Sequence, residues 1–101
     1  LSLSDQQWEF MQALGKLLDW AAKQPRYKVT PGCLRCSKPG HHKEGSFHYM
    51  GLAVDLNLFI DGEWQTSTEA HRDMGAHWVS LGGTWGGNFS SPDGNHYSWG
   101  E

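Results

Sequence analysis

The sequence predicts an α+β fold: two helices packed on one face of a small, mainly antiparallel sheet. Three observations predict it. Two stretches, one ending before Pro25 and one before Gly82-Gly83, repeat apolar residues at helical spacing. Val54-Asp55-Leu56-Asn57-Leu58-Phe59-Ile60 alternates at period two, as a half-buried strand does. Asp61-Gly62 follows it directly and is a two-residue hairpin signal, which turns the chain back antiparallel. The 101 residues suit one domain with a single modest core, spanning 1–101.

Taken in order, the first helix is expected from about Asp5 to about Lys23, ending before Pro25 because the residue before proline avoids helix. Ser4-Asp5-Gln6-Gln7 reads as its capping box, with Leu3 and Trp8 placed as a hydrophobic staple. Trp8, Met11, Leu14, Leu18 and Ala21 or Ala22 form its apolar stripe. Glu9, Lys16, Asp19 and Lys23 form the wetter side. Arg26 to Thr30 reads as a short strand, and Pro31 to Gly45 as a loop rich in Pro, Gly, His and Lys. In the central strand, Val54, Leu56, Leu58 and Ile60 share the core face, and Ala53, Asp55, Asn57 and Phe59 share the other. Glu63-Trp64-Gln65 returns beside it. Thr66-Ser67-Thr68-Glu69 reads as a second capping box, opening a helix with Ala70, Met74, Trp78 and Leu81 inward and Gly82-Gly83 as its stop. His71 and His77 on that helix lack the spacing that puts two ligands on one face, so they read as one exposed and one partly buried histidine. Ser91 to Asn95 reads as a turn, and His96-Tyr97-Ser98-Trp99 as a last strand pairing near the central one. His96 and Ser98 share one of its faces, Tyr97 and Trp99 the other.

Composition narrows the function classes. A net charge of −3 provides no basic footprint for nucleic acid. No apolar run is long enough to span a membrane. Thirteen glycines and six tryptophans point to many turns and large aromatic anchors. The two cysteines stand as Cys33-Leu34-Arg35-Cys36 among Pro31, Gly32, Pro39 and Gly40, which is poor context for a redox motif. Free thiols are the simpler reading, and a small structural zinc site with His41 or His42 is the alternative.

The chemistry-bearing stretch is Ser46-Phe47-His48-Tyr49-Met50-Gly51-Leu52-Ala53-Val54-Asp55. Gly51 permits a turn or a close approach, so His48 could fold back toward Asp55. A histidine and a carboxylate converging on one point supply two of the three protein ligands of a catalytic zinc. On these two residues alone, a surface histidine and a strand-edge aspartate that never meet is the simpler reading.

Ser46-x-His48-x-x-Gly51-x-Ala53-x-Asp55, followed by Asp93-x-x-His96, resembles the signature of the zinc D,D- and L,D-peptidases that cut bacterial cell-wall peptides. These are the M15 peptidases, a group with vancomycin-resistance-type dipeptidases, carboxypeptidases and phage endolysins. The stretches Leu56 to Gly62 and Leu81 to Phe89, with Trp85-Gly86-Gly87, look like the endolysin branch, and the resemblance covers roughly Val29 to Trp99. It implies one catalytic zinc held by His48, Asp55 and His96 on the sheet face away from the helices. It implies Asp93 as general base, Arg35 as holder of a substrate carboxylate and Ser46 as a substrate contact or loop brace. Two imidazoles and one carboxylate leave a zinc ion positive enough to acidify its water and polarise a carbonyl. The base must reach that water without ligating the metal, and Asp93 stands one short turn before His96. The distance from Arg35 to His48 is shorter than the family pattern.

The implied activity is hydrolysis of a peptide bond in peptidoglycan stem peptides, as an L-alanyl-D-glutamate endopeptidase of phage or prophage origin. The expected enzyme is a monomer without nucleic-acid or membrane partners. No signal peptide is read, so it is expected to wait in the cytoplasm for a phage lysis system and then act on the wall. The alternatives are a D,D-carboxypeptidase or dipeptidase of the same fold, and a non-catalytic zinc-containing wall-binding module.

Overall fold

The computed structural model describes residues 1–32 and 45–101. Helix α1 runs Leu3–Ala22. Its capping box is Ser2 with Asp5, not Ser4 with Gln7. Ser2 Oγ accepts the Asp5 N–H at 3.1 Å, and Asp5 Oδ2 accepts the Ser2 N–H at 3.2 Å. The physical reason is twofold. A carboxylate at the third helical position also meets the positive end of the helix dipole. The Gln7 amide, meanwhile, is drawn away to donate to the Met50 carbonyl at 2.7 Å.

The buried stripe of α1 also differs from the expected one. Phe10, Ala13, Leu14, Leu17 and Ala21 face the core, while Trp8 is 64% exposed, Met11 54% and Leu18 40%. Both stripes are apolar and helically spaced, and they share Leu14 and Ala21. Partners across the core choose between them: Phe10 meets Trp78 edge-on, with ring centroids 6.0 Å apart. Leu3 is exposed as well, so the expected staple with Trp8 does not form. Lys16, Asp19 and Lys23 are exposed as expected. Glu9 is half-buried, with its carboxylate 3.4 Å from Trp99 Nε1.

Strand β1, Tyr27–Pro31, packs Tyr27 and Val29 against the core, and β2, Ala53–Ile60, is the hub of the sheet. The expected alternation holds: Val54, Leu56 and Leu58 are buried on the helix side. Asp61 and Gly62 take φ of 54° and 80°, the doubly left-handed turn that matches strand twist, and β3, Glu63–Gln65, returns as expected. β2 pairs antiparallel with β1 along one edge, and with β3 and β5 (His96–Ser98) along the other. A two-residue strand β4, Thr84–Trp85, which the glycine-broken sequence did not announce, flanks β5.

The second helix begins differently from its capping-box reading. The residue before the first turn is Thr68, not the expected Thr66, and its side chain makes no capping bond. Ser67 Oγ instead accepts the Ala70 N–H at 3.2 Å, and a 3₁₀ turn, Glu69–His71, feeds α2, Arg72–Ser80. The end is as expected. Gly82 N–H reaches Val79 O, and Gly83 N–H reaches Trp78 O, both at 3.0 Å, the paired bonds of a Schellman stop. Met74 and Trp78 of α2 join the α1 stripe, β2, Trp85 and Tyr97 in one core. Trp78 is fully buried, and its indole N–H lies 3.0 Å from Ser98 O and 3.1 Å from Thr84 O. No described helix is long and apolar enough to cross a membrane.

His71 is more deeply buried than the sequence suggested. It is 2% exposed, and its Nδ1 lies 2.8 Å from the Tyr97 hydroxyl. His77 is half-buried and stacks on Trp20, 4.8 Å between centroids. Burial holds the His71 pKa below its usual 6.5, against smaller upward pushes from the Gln65 backbone and Asp93. The unfolded chain therefore takes up this proton at a higher pH than the folded one. Stability from neutral His71 is present above the usual histidine pKa and is lost as pH falls below it. Denaturation midpoints between mildly alkaline and mildly acidic pH should fall more steeply for the wild type than for His71→Gln. The excess slope is at most about 1.4 kcal/mol per pH unit. Parallel profiles would mean that His71 titrates alike in both states.

Candidate metal centre

Strand register brings two of the expected ligands together. Asp55 of β2 lies directly opposite His96 of β5, on the face away from the helices. Direct cross-strand partners stand about 4.5–5.5 Å apart at Cβ, within reach of an imidazole and a carboxylate. The flanking backbone pins both: Gly32 N–H donates to Asp55 O at 2.8 Å, and Leu56 N–H to Asn95 O at 2.9 Å.

His48 arrives from a tight double turn. Tyr49, Met50 and Gly51 each donate their N–H three residues back, to Ser46, Phe47 and His48. Gly51 takes φ of 69°, a left-handed conformation that an L side chain rarely adopts, as its place before the strand suggested. Ser46 Oγ accepts the His48 N–H at 3.2 Å, so the serine braces this turn, and it also lines the cleft. The Gln7 amide, holding Met50 O, ties the turn to α1.

The three side chains meet. His48 Nε2 lies 3.2 Å from Asp55 Oδ1 and 3.2 Å from His96 Nδ1, and His96 Nδ1 lies 3.9 Å from Asp55 Oδ1. Metal bonds of about 2.0–2.1 Å in tetrahedral array set neighbouring ligand atoms about 3.3 Å apart, close to this triangle. The donor set fits zinc: two imidazole nitrogens and one carboxylate oxygen. Both histidines are buried, while Asp55 keeps 21% of its side chain exposed toward the cleft. Among the described residues, His48, Asp55 and His96 form a group that could hold a metal ion. The alternative in which His48 and Asp55 never meet is set aside by these distances.

A family model described as D-alanyl-D-alanine carboxypeptidase, of the M15 peptidases, matches residues 40–99. The chain belongs to this family. The family is zinc-dependent, which agrees with the donor set. Among curated proteins, none matches the chain.

In this M15 peptidase, the triangle of His48, Asp55 and His96 opens into a cleft of about 620 Å³, lined also by Ser46, Phe89, Asp93 and Glu101. Asp93 is exposed, and its carbonyl accepts the His96 N–H at 3.1 Å, so the expected short turn links it to His96. Asp93 also borders a second cavity of about 280 Å³, with Asn57, Trp64, Thr68 and His71. Arg35 lies outside the described residues, as do Cys33, Cys36, His41 and His42 of the structural-zinc alternative.

Two supports of the M15 site escaped sequence reasoning. Gly86 sits beneath the Asp93–His96 turn, where its carbonyl accepts the Asp93 N–H at 2.9 Å. A Cβ on Gly86 would come within 2.3 Å of Asp93 O and 2.7 Å of His96 Cβ, so only glycine lets the two segments touch. Trp85-Gly86-Gly87 was the available signal, but it did not say what the glycine approaches. The other is Glu101. Its Oε1 lies 2.7 Å from His96 Nε2 and accepts Ser98 Oγ at 2.6 Å. Burial alone would push the Glu101 carboxyl up. The hydrogen bonds from Ser98 and His96, aided by the charges of His96 and His48, outweigh it and hold the group below its ordinary value. No local pattern around Glu101 marks it.

Proposed function

We propose that the protein is a zinc-dependent peptidase that hydrolyses a peptide bond in peptidoglycan stem peptides, as an L-alanyl-D-glutamate endopeptidase of the phage or prophage endolysin kind. The observation that carries this reading is the convergence of His48, Asp55 and His96 in one open cleft with Asp93. Zinc bound by these three residues would supply a Lewis acid and an acidified water. Asp93, in the role of general base, takes a proton from the attacking water and delivers it to the leaving amine. Ser46 holds the His48 turn and offers the substrate a hydroxyl, and Arg35 receives a substrate carboxylate through its guanidinium fork. As an endolysin the enzyme would wait in the cytoplasm and act on the wall once a lysis system released it.

Two features support an endopeptidase over an enzyme that trims termini. One is the resemblance of Leu56 to Gly62 and Leu81 to Phe89 to the endolysin branch. The other is the room around Asp93: it lines two cavities among the described residues, space that a chain continuing past the scissile bond would need. D,D-carboxypeptidase activity is the second reading, favoured by the description of the matching family model. Digestion of purified peptidoglycan with mass analysis of the new termini separates them. New amino-terminal D-glutamate is the expected result. Release of D-alanine alone would establish the carboxypeptidase, and intact peptidoglycan with zinc-loaded protein would refute both.

A further inference from the structure

We propose that Glu101 is the positioning residue of the metal centre: it accepts the Nε2–H of His96 and so turns the Nδ1 lone pair toward His48 and Asp55. The inference rests on reading these three residues as a metal site. A neutral imidazole carries its proton on one nitrogen only, and the partner of the other nitrogen decides which. Here the two nitrogens face different groups. Nδ1 points to the ligand triangle, 3.2 Å from His48 Nε2, and Nε2 lies 2.7 Å from Glu101 Oε1. An ionised carboxylate only accepts, so the proton belongs on Nε2 and Nδ1 is left free to ligate.

Glu101 is itself held in place. Ser98 Oγ donates to the same Oε1 at 2.6 Å, and Thr84 Oγ1 donates to the Glu101 backbone carbonyl at 3.0 Å. Ser98 is fully buried and shares the His96 face of β5, while Thr84 lies on β4, paired with Ser98. The carboxylate is therefore fixed from the two strands that carry and flank the ligand. Such an outer partner orients the ring and makes the ligating nitrogen more basic. Its loss typically weakens metal binding about 10–100-fold.

The test is a zinc titration of the whole chain against a competing chelator, for wild type, Glu101→Ala and Glu101→Gln, with the melting temperature of each metal-free protein recorded alongside. Glu101→Ala should bind zinc about 10–100-fold more weakly than wild type at a closely similar metal-free melting temperature. Glu101→Gln should fall between them, since its amide oxygen still accepts from Nε2 but carries no charge. At saturating zinc, both variants should recover most of the wild-type turnover. Wild-type affinity in Glu101→Ala would overturn the proposal. If Glu101→Ala fails to fold, wild-type affinity in the isosteric Glu101→Gln overturns it instead. Unchanged zinc affinity with turnover lost in Glu101→Gln would also overturn it, by making Glu101 a reacting group. Failure of the wild type itself to bind zinc is a different result: it refutes the metal site, and the role of Glu101 falls with it.

Discussion

Removal of zinc by a chelator should abolish peptidoglycan hydrolysis, and added zinc should restore it. In the same assay, His48→Ala and His96→Ala should each lose the bound ion. The ground is the triangle of ligand atoms at 3.2, 3.2 and 3.9 Å. If these three residues hold the zinc, removing one leaves two ligands, too few to retain it at ordinary concentrations. The loss in affinity should exceed the roughly 10–100-fold expected for an outer partner. Metal content and lysis are measured together on each variant. Cys33→Ser with Cys36→Ser is the companion measurement and should keep both zinc and lysis. Undiminished lysis by metal-free protein would sink the mechanism. Loss of the only zinc in the cysteine variant would move the metal to the structural-site alternative.

Asp93→Asn should keep its zinc and lose about 10²–10⁴-fold in turnover, the usual contribution of a general acid–base group. The turn should survive. Its bonds are made by backbone, Asp93 N–H to Gly86 O and His96 N–H to Asp93 O, and asparagine tolerates the same conformations. Asp55→Asn should behave differently. Asp55 Oδ1 is a corner of the triangle proposed to hold the ion, so losing its charge should weaken zinc binding itself. Zinc stoichiometry and turnover measured on both variants separate the roles. Zinc lost from Asp93→Asn but kept by Asp55→Asn would show the two assignments exchanged. Near-wild-type turnover in Asp93→Asn would reduce Asp93 to a turn residue and place the base elsewhere.

Local chemistry was legible wherever one segment decides its own conformation. The alternation of Val54, Leu56 and Leu58 marked β2 and its buried face, Asp61-Gly62 marked the hairpin, and Gly82-Gly83 marked the end of α2. The ligand set was legible for another reason. His48 and Asp55 alone read more simply as residues that never meet, and it was the resemblance of Ser46-x-His48-x-x-Gly51-x-Ala53-x-Asp55 and Asp93-x-x-His96 to a family signature that grouped His48, Asp55 and His96. Where two local solutions were nearly equal, the reading slipped. Ser2 and Ser4 both offer a capping hydroxyl, and the charged Asp5 settled the choice. Phe10 and Leu17 compete with Trp8 and Leu18 for the core, and nothing within the helix ranks them.

By itself, then, the sequence determined the fold class, the central strand with its faces and the hairpin, and its likeness to a family signature singled out the residues that could hold a metal. Tertiary structure alone decided which stripe of α1 is buried, because Trp78 and the sheet supply the partners. It decided that His71 lies within the core, because the Tyr97 hydroxyl waits there to meet its ring. It also decided that Asp55 and His96 face each other, since register is a relation between strands far apart in the chain. And it placed Glu101 behind His96. A hydrogen bond between side chains depends on where β4 and β5 carry them, and no spacing in the chain encodes that position.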